Sequence, residues 1–166
     1  MPTPTATAAR FPTEYGQTSE SLGETLPWGE VAERIAAARN YFLATTTDDG
    51  RPYLRPVDGV FVDDALCFGG SPETRWVRHL QRRPDVSASL PDDDNAVILE
   101  GRAELVTDPE QPVAVAMGPA NREKYPQYFS DQAETTFQPF WCLRPARIYA
   151  WSLKAFPNKA TRFDFP

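Results

Sequence analysis

Four arginines fall within nine residues, at Arg75, Arg78, Arg82 and Arg83, with no acidic residue between the first and the last of them. In a chain of formal net charge -6, that local excess of positive charge needs a reason. The residues just ahead of it, Gly70-Ser71-Pro72-Glu73-Thr74, read as a helix start with Ser71 as N-cap and Pro72 at the first helical position. A helix start presents N–H groups without carbonyl partners and the positive end of the helix dipole. With the hydroxyls of Ser71 and Thr74 beside it, this is chemistry suited to a phosphate. Arg75, Arg78 and Arg82 recur at three- and four-residue spacing opposite the apolar Trp76, Val77 and Leu80, forming a basic stripe. The same charge pattern suits an ordinary amphipathic helix whose arginines face water or pair with acidic loops, and it leaves both readings open.

Other candidate residues are fewer. Arg55-Pro56-Val57 lies in a strand-like run, and Pro56, which cannot donate to a ladder, marks an edge or a bulge there. Arg55 can serve an anionic ligand or pair across strands with Glu100 or Glu104. Trp151 and Tyr149 can stack on a flat ligand, although large aromatic residues more often fill cores or subunit contacts. Arg102 and Glu104 read as structural, and Asp92-Asp93-Asp94 as a solvated turn. Cys67 and Cys142 lie far apart in apolar stretches and read as buried thiols, with no disulfide framework or Cys-x-x-Cys metal site. His79 is the single histidine, so a zinc site or a Ser-His-Asp hydrolase would rest on it alone. A hydrogen bond on the helix surface suits it better than catalysis. No acid and base pair or nucleophile triad stands out.

These residues need a scaffold. The chain has 166 residues, 41% of them hydrophobic and 24% charged, which fits one folded domain. Net negative charge argues against nucleic acid or an anionic membrane as partner. No stretch resembles a membrane span or a secretory signal, so the expected location is cytoplasmic. Residues 1–25 lack apolar periodicity and read as a flexible arm, leaving 26–166 as the domain. Val31, Ile35 and Ala38 predict a first helix from Trp28 to about Asn40. Tyr41 to Thr47, the Asp49-Gly50 turn and a strand from Tyr53 to Val62 form a hairpin, and Ala65 to Gly69 follows as a third strand. After the arginine helix come strands over Val86 to Leu90 and Val97 to Leu105, the latter with strict alternation. Gly118-Pro119 and Pro126 are expected to break residues 110–130 into short helical pieces. A long strand from Phe140 to Ser152, bent at Pro145, and a closing segment from Thr161 to Phe165 complete the chain. Tight turns between successive strands favour a mainly β, antiparallel barrel with a few flanking helices over a parallel α/β fold.

Several stretches together carry a resemblance. Thr74-Arg75-Trp76-Val77-Arg78-His79-Leu80 with Arg83-Pro84-Asp85-Val86, the hairpin Thr45 to Pro52, Arg55-Pro56-Val57, and Val97 to Ala103 are similar to motifs of the pyridoxamine-phosphate-oxidase-like split-barrel family. The likeness runs from about residue 28 to 165. It implies an antiparallel split β-barrel that holds FMN or coenzyme F420 at a homodimer interface and transfers hydride to or from a small organic substrate. It implies cofactor contacts at Arg55, Pro56, Val57, Ser71, Thr74, Arg75 and Arg78, with Trp151 a further candidate. The ending Thr161-Arg162-Phe163 resembles the F420-using branch. An oxidoreductase of this kind looks chemically empty in sequence, because the cofactor carries the hydride. A non-catalytic carrier of flavin, F420 or haem on the same barrel is the alternative, and haem would lean on His79.

Overall fold

The computed structural model describes residues 3–129 and 136–166. Among the described residues there are nine strands: β1 (Thr5–Ala8), β2 (Asn40–Thr46), β3 (Pro52–Asp58), β4 (Val60–Val62), β5 (Ala65–Phe68), β6 (Asp85–Ser89), β7 (Asn95–Val106), β8 (Phe140–Ser152) and β9 (Thr161–Asp164). The helices are α1 (Trp28–Ala37), α2 (Arg75–Arg82) and α3 (Pro112–Lys124). All strand pairs are antiparallel, in the order β1-β9-β8-β7-β6-β2-β3, with β5 bridging β4 and β8. The antiparallel split barrel with flanking helices is therefore the fold of this chain.

β8 organises the sheet. One edge pairs with β7 along its whole length, while the other pairs first with β5, through Trp141 to Leu143, and then with β9, through Arg147 to Ala150. Between the two halves the register slips, so that Glu100 faces Arg147 and Gly101 faces Pro145. The extra residue is a bulge at the bend expected at Pro145, and it switches which side chains of β8 point inward. Leu143 precedes the slip; Ile148 and Ala150 follow it; all three are buried in the same core.

That core lies beneath α1 and α2 and includes Tyr41, Leu43, Phe68, Leu80, Leu99 and Phe163. A second, smaller core under α3 contains Val60, Ala65, Cys67, Val113, Tyr125, Phe140 and Cys142. Two cores explain the unbroken apolar runs: Ala65 to Phe68 and Phe140 to Leu143 are buried on both faces, so neither alternates. On β7 the alternation holds for Val97, Leu99 and Ala103, but Leu105 reaches the sheet end and is 47% exposed.

Four expectations change. The run from Tyr53 to Val62 is two strands, because the buried Gly59 interrupts it, and β3 shows no bulge: Pro56 sits in register opposite Phe42 on the sheet's outer strand. Helix α2 starts at Arg75 with Thr74 as N-cap, not at Pro72 with Ser71; the Thr74 N–H and hydroxyl both bond the Ser71 carbonyl and hold residues 71–74 in a turn. Helix α3 runs through Gly118-Pro119 unbroken. Glycine before proline lacks the Cβ that would clash in a helical conformation, and both residues are exposed, so water reaches the carbonyl that Pro119 leaves unpaired. Finally, the segment expected to be an arm contributes β1, which pairs Thr5 with Asp164 and Ala8 with Thr161, and packs Phe11 against Trp151 and Phe156.

A Cβ on Gly101 would lie 2.1 Å from the Arg144 carbonyl oxygen and 2.8 Å from Pro145 Cα. Gly101→Ala is expected to lower stability by about 2–4 kcal/mol, because neither backbone can yield without losing the bulge. Urea unfolding measures this, and a wild-type midpoint would show that the bulge does not require glycine.

Candidate functional site

Tyr53, near the turn end of the β2–β3 hairpin, collects two of the arginines. The Arg55 guanidinium carbon lies 4.0 Å from the centre of its ring and that of Arg75 lies 5.8 Å away. Both are within cation–π range. Tyr53 and Arg55 are two apart on one strand and so share a face, while Arg75 arrives from the first turn of α2. Arg55 also donates to the Leu54 carbonyl at 2.6 Å. It is not paired with Glu100 or Glu104, whose partners are Arg147 and Arg144 on β8. Arg102 pairs with Asp85 at 3.9 Å, a structural surface contact.

A groove of about 610 Å³ opens beside this pair. Pro56 and Val57 of β3, Gly69 after β5, and Trp76 of α2 line one side; Met117 and Asn121 of α3 line the other. Pro56 and Trp76 directly follow Arg55 and Arg75 in sequence, but neither arginine is among the residues that line the groove. Arg75 lines a second depression together with Arg51, Arg78 and Arg82. Arg82 is tied to Asp48 in the hairpin turn, and Arg83 donates to the Asp48 carbonyl at 2.8 Å. Arg78 is exposed. The Ser71 hydroxyl receives the Glu73 N–H at 3.3 Å and the Thr74 hydroxyl serves the Ser71 carbonyl, so both are engaged in shaping the turn.

The structure thus brings Arg55, Pro56, Val57, Thr74, Arg75 and Arg78 into one region, with Ser71 at its border. Trp151 is not among them: it packs edge-on to Phe11 at 6.0 Å and against Phe156. His79 does not lie on the helix surface. It is 7% exposed, 3.0 Å from the Thr45 hydroxyl through Nδ1, and edge-on to Tyr53 at 5.1 Å. It therefore locks α2 onto β2. The closing Thr161-Arg162-Phe163 is used by the fold: Thr161 accepts the Leu26 N–H at 2.8 Å, Arg162 binds Asp164, and Phe163 is core beside Trp28.

Behind the groove, the buried Tyr125 hydroxyl stitches α3 to the strand break. It receives the Gly59 N–H at 3.0 Å and donates to the Arg39 carbonyl at 2.5 Å. Lys124 donates to the Ala36 carbonyl at 2.8 Å and to the Tyr41 hydroxyl at 3.0 Å. Burial, with help from the Arg39 charge, lowers Lys124 to about 8. Tyr128 at the groove lip donates to Asp58 at 2.7 Å, which pushes its phenol up. Among the described residues, no cluster of three or more His, Cys, Asp or Glu is placed to hold a metal, and no helix is long and apolar enough to cross a membrane.

Sequence reasoning missed Tyr53, although its spacing from Arg55 was a usable signal. It also missed Met117, Asn121, Tyr125 and Tyr128, whose helix looked fragmented.

Comparisons with known proteins follow the same lines. The model of the family described as pyridoxamine 5'-phosphate oxidase matches residues 28–152. No curated protein matches the chain. A conserved hypothetical protein from Mycobacterium tuberculosis superposes with a TM-score of 0.66 at 23% identity, over 82% of this chain and 89% of that one. A haem binding protein from Mycobacterium smegmatis gives 0.58 at 26% identity, over 76% of this chain but only 54% of the other. A pyridoxamine 5'-phosphate oxidase-related, FMN binding protein from Nostoc punctiforme gives 0.55 at 19% identity, over 80% and 87%.

Two measurements check the groove's support. Tyr125→Phe leaves the buried Gly59 N–H without its partner and is expected to cost about 1–3 kcal/mol in denaturant unfolding; an unchanged midpoint would remove the stitch. For Lys124 the folded value lies below the ordinary 10.5, so the unfolded chain holds that proton more tightly. The penalty is full below about pH 8 and is relieved as pH rises toward the ordinary lysine value. Wild type should therefore gain thermal stability relative to Lys124→Met as pH rises from about 8 to 10. A constant difference between the two melting curves would contradict the lowered value.

Proposed function

The chain belongs to the pyridoxamine 5'-phosphate oxidase family, and on that premise we propose that it is an oxidoreductase that binds FMN or coenzyme F420 in the groove beside Tyr53. The guanidiniums of Arg55 and Arg75, gathered at the Tyr53 ring one residue away in sequence from the groove-lining Pro56 and Trp76, carry the reading. About 610 Å³ is within the roughly 300–1,000 Å³ of small-ligand clefts. Its walls suit a flat heterocycle, since Pro56 and Val57 of the outer strand and Trp76 of α2 are among the lining residues. Arg75 and Arg78, at the start of α2, suit a phosphate, with Thr74 setting the helix start.

When bound, such a cofactor supplies hydride transfer to or from a small organic substrate. The protein's own residues then bind, orient and exclude water. Tyr53 holds Arg55 and Arg75 in place before the ligand arrives, which reduces the ordering cost of binding. Met117 and Phe140 shield the groove's apolar side from solvent. His79 and Thr45 keep α2 at a fixed distance from the hairpin.

The reading includes a homodimer. Phe42, 38% exposed, Leu54, 53% exposed, and Pro56 share the outer face of β2 and β3, next to the groove. An apolar patch there suits a second copy of the chain. The haem-binding relative favours a second reading, a carrier rather than an enzyme. His79 is poorly placed for it, being buried and engaged with Thr45. FMN and F420 both carry phosphate and a planar ring, so the groove does not choose between them.

Titration of the protein with FMN and, separately, with F420, followed by fluorescence, tests the site. Arg55→Ala and Arg75→Ala are each expected to weaken binding by about 10- to 100-fold, more at low salt than at high. Unchanged affinity in the double variant would place the cofactor elsewhere. A Soret band that survives His79→Ala would remove axial ligation by His79, and an electron acceptor that fails to reoxidise reduced bound cofactor would favour the carrier. Sedimentation as a monomer would overturn the dimer.

A further inference from the structure

Cys67 and Cys142 stand 75 residues apart in sequence but directly opposite each other in the ladder between β5 and β8. The sequence separation that argued against a disulfide is closed by the fold. Opposed residues in an antiparallel pair have Cα atoms about 4.5–5.5 Å apart, within the roughly 4.4–6.8 Å that a disulfide spans. Their side chains point at one another inside the second core, with the sulfurs 2.6 Å apart. That is well inside the roughly 3.5–4.0 Å of ordinary non-bonded contact. Both residues are 0% exposed. Among the described residues, no group of three or more His, Cys, Asp or Glu placed to hold a metal includes the pair.

We propose that Cys67 and Cys142 form a reversible dithiol–disulfide pair, closed by an oxidant of the peroxide class and reopened by a small thiol, that clamps β5 to β8 beneath the groove. One sulfur, as its thiolate, attacks the peroxide O–O bond, becomes a sulfenic acid and releases water. The partner sulfur then displaces the hydroxyl as a second water. In sum, two thiols and hydrogen peroxide give one disulfide and two waters, the two electrons passing from sulfur to the peroxide oxygens. The contact with Cys142 and burial push the Cys67 thiol well up, so the dithiol is slow to react and closes through transient openings of β5.

β5 is a place where a clamp matters. It has four residues, and its partner other than β8 is the three-residue β4. Cys67 also borders the groove, and its carbonyl fits against Gly59, where an added Cβ would come within 2.8 Å. Joining the sulfurs fixes the groove floor to the longest strand of the sheet.

The full chain, prepared under dithiothreitol and then exposed to hydrogen peroxide, tests this without any bound cofactor, so the result is separate from the flavin reading. Intact mass is expected to fall by two hydrogens, non-reducing peptide maps to show a Cys67–Cys142 cross-link, and the melting temperature to rise by roughly 5–10 °C, reversibly with dithiothreitol. Cys142→Ala is expected to show no rise. Two free thiols on alkylation after unfolding the oxidised protein, cysteines oxidised singly to sulfinic acid, or cross-links between chains would each overturn the proposal, and these readouts on wild-type protein do not depend on the variant folding.

Discussion

The slip in register between β7 and β8 is the constraint on which the architecture rests. Because Gly101 lets the Arg144 carbonyl come close, β8 gains one residue and turns, and its second edge is divided between β5 and β9. A straight β8 would offer that edge to a single partner and leave one of the two cores without a wall. With the turn, one strand serves both: Leu143 and Ile148 face the larger core, and Phe140 and Cys142 face the smaller. The groove lies where these cores separate, between β3 and β5 on one side and α3 on the other.

Position at that seam accounts for the site's chemistry. The outer strand β3 leaves one side of its backbone without a neighbouring strand, which Pro56 tolerates because its ring nitrogen has no hydrogen to place. Helix α2 is anchored from below by Leu80 and Val77 and from the side by the His79 to Thr45 contact, so its arginines are carried on a fixed support. Of these, Arg82 is neutralised by Asp48, whereas Arg55 and Arg75 meet over an aromatic ring that supplies no countercharge. A net-negative protein therefore keeps a positive patch around Tyr53 and the start of α2.

Much of this could be read from the residues. The strands of the barrel follow from aromatic and β-branched runs, from Asp-Gly and Asp-Asp turns, and from the alternation of Val97, Leu99 and Ala103. The candidate region was marked by the arginine spacing and by Pro56. What stayed hidden depended on tertiary contact. The start of α2 moved because Thr74 bonds back to Ser71, a local competition that propensity does not rank. Helix α3 looked broken because the relief that Gly118 gives Pro119 is a matter of a missing atom. Trp151 looked like a ligand platform because an aromatic residue in a strand carries no label for the side it packs on. The Thr-Arg-Phe ending, which resembled one cofactor branch, is occupied with holding α1 and β8, so it does not separate F420 from FMN.

Strand β1 has a consequence for how the protein is made. Its neighbour in the sheet is β9, so Thr5 pairs with Asp164, 159 residues further along the chain. On the ribosome β1 must wait, unpaired, until β9 has been made, and loop closure over that span is slow. The barrel's interior, built from contacts between nearer segments, can therefore assemble first, and the seam between β1 and β9 is sewn last.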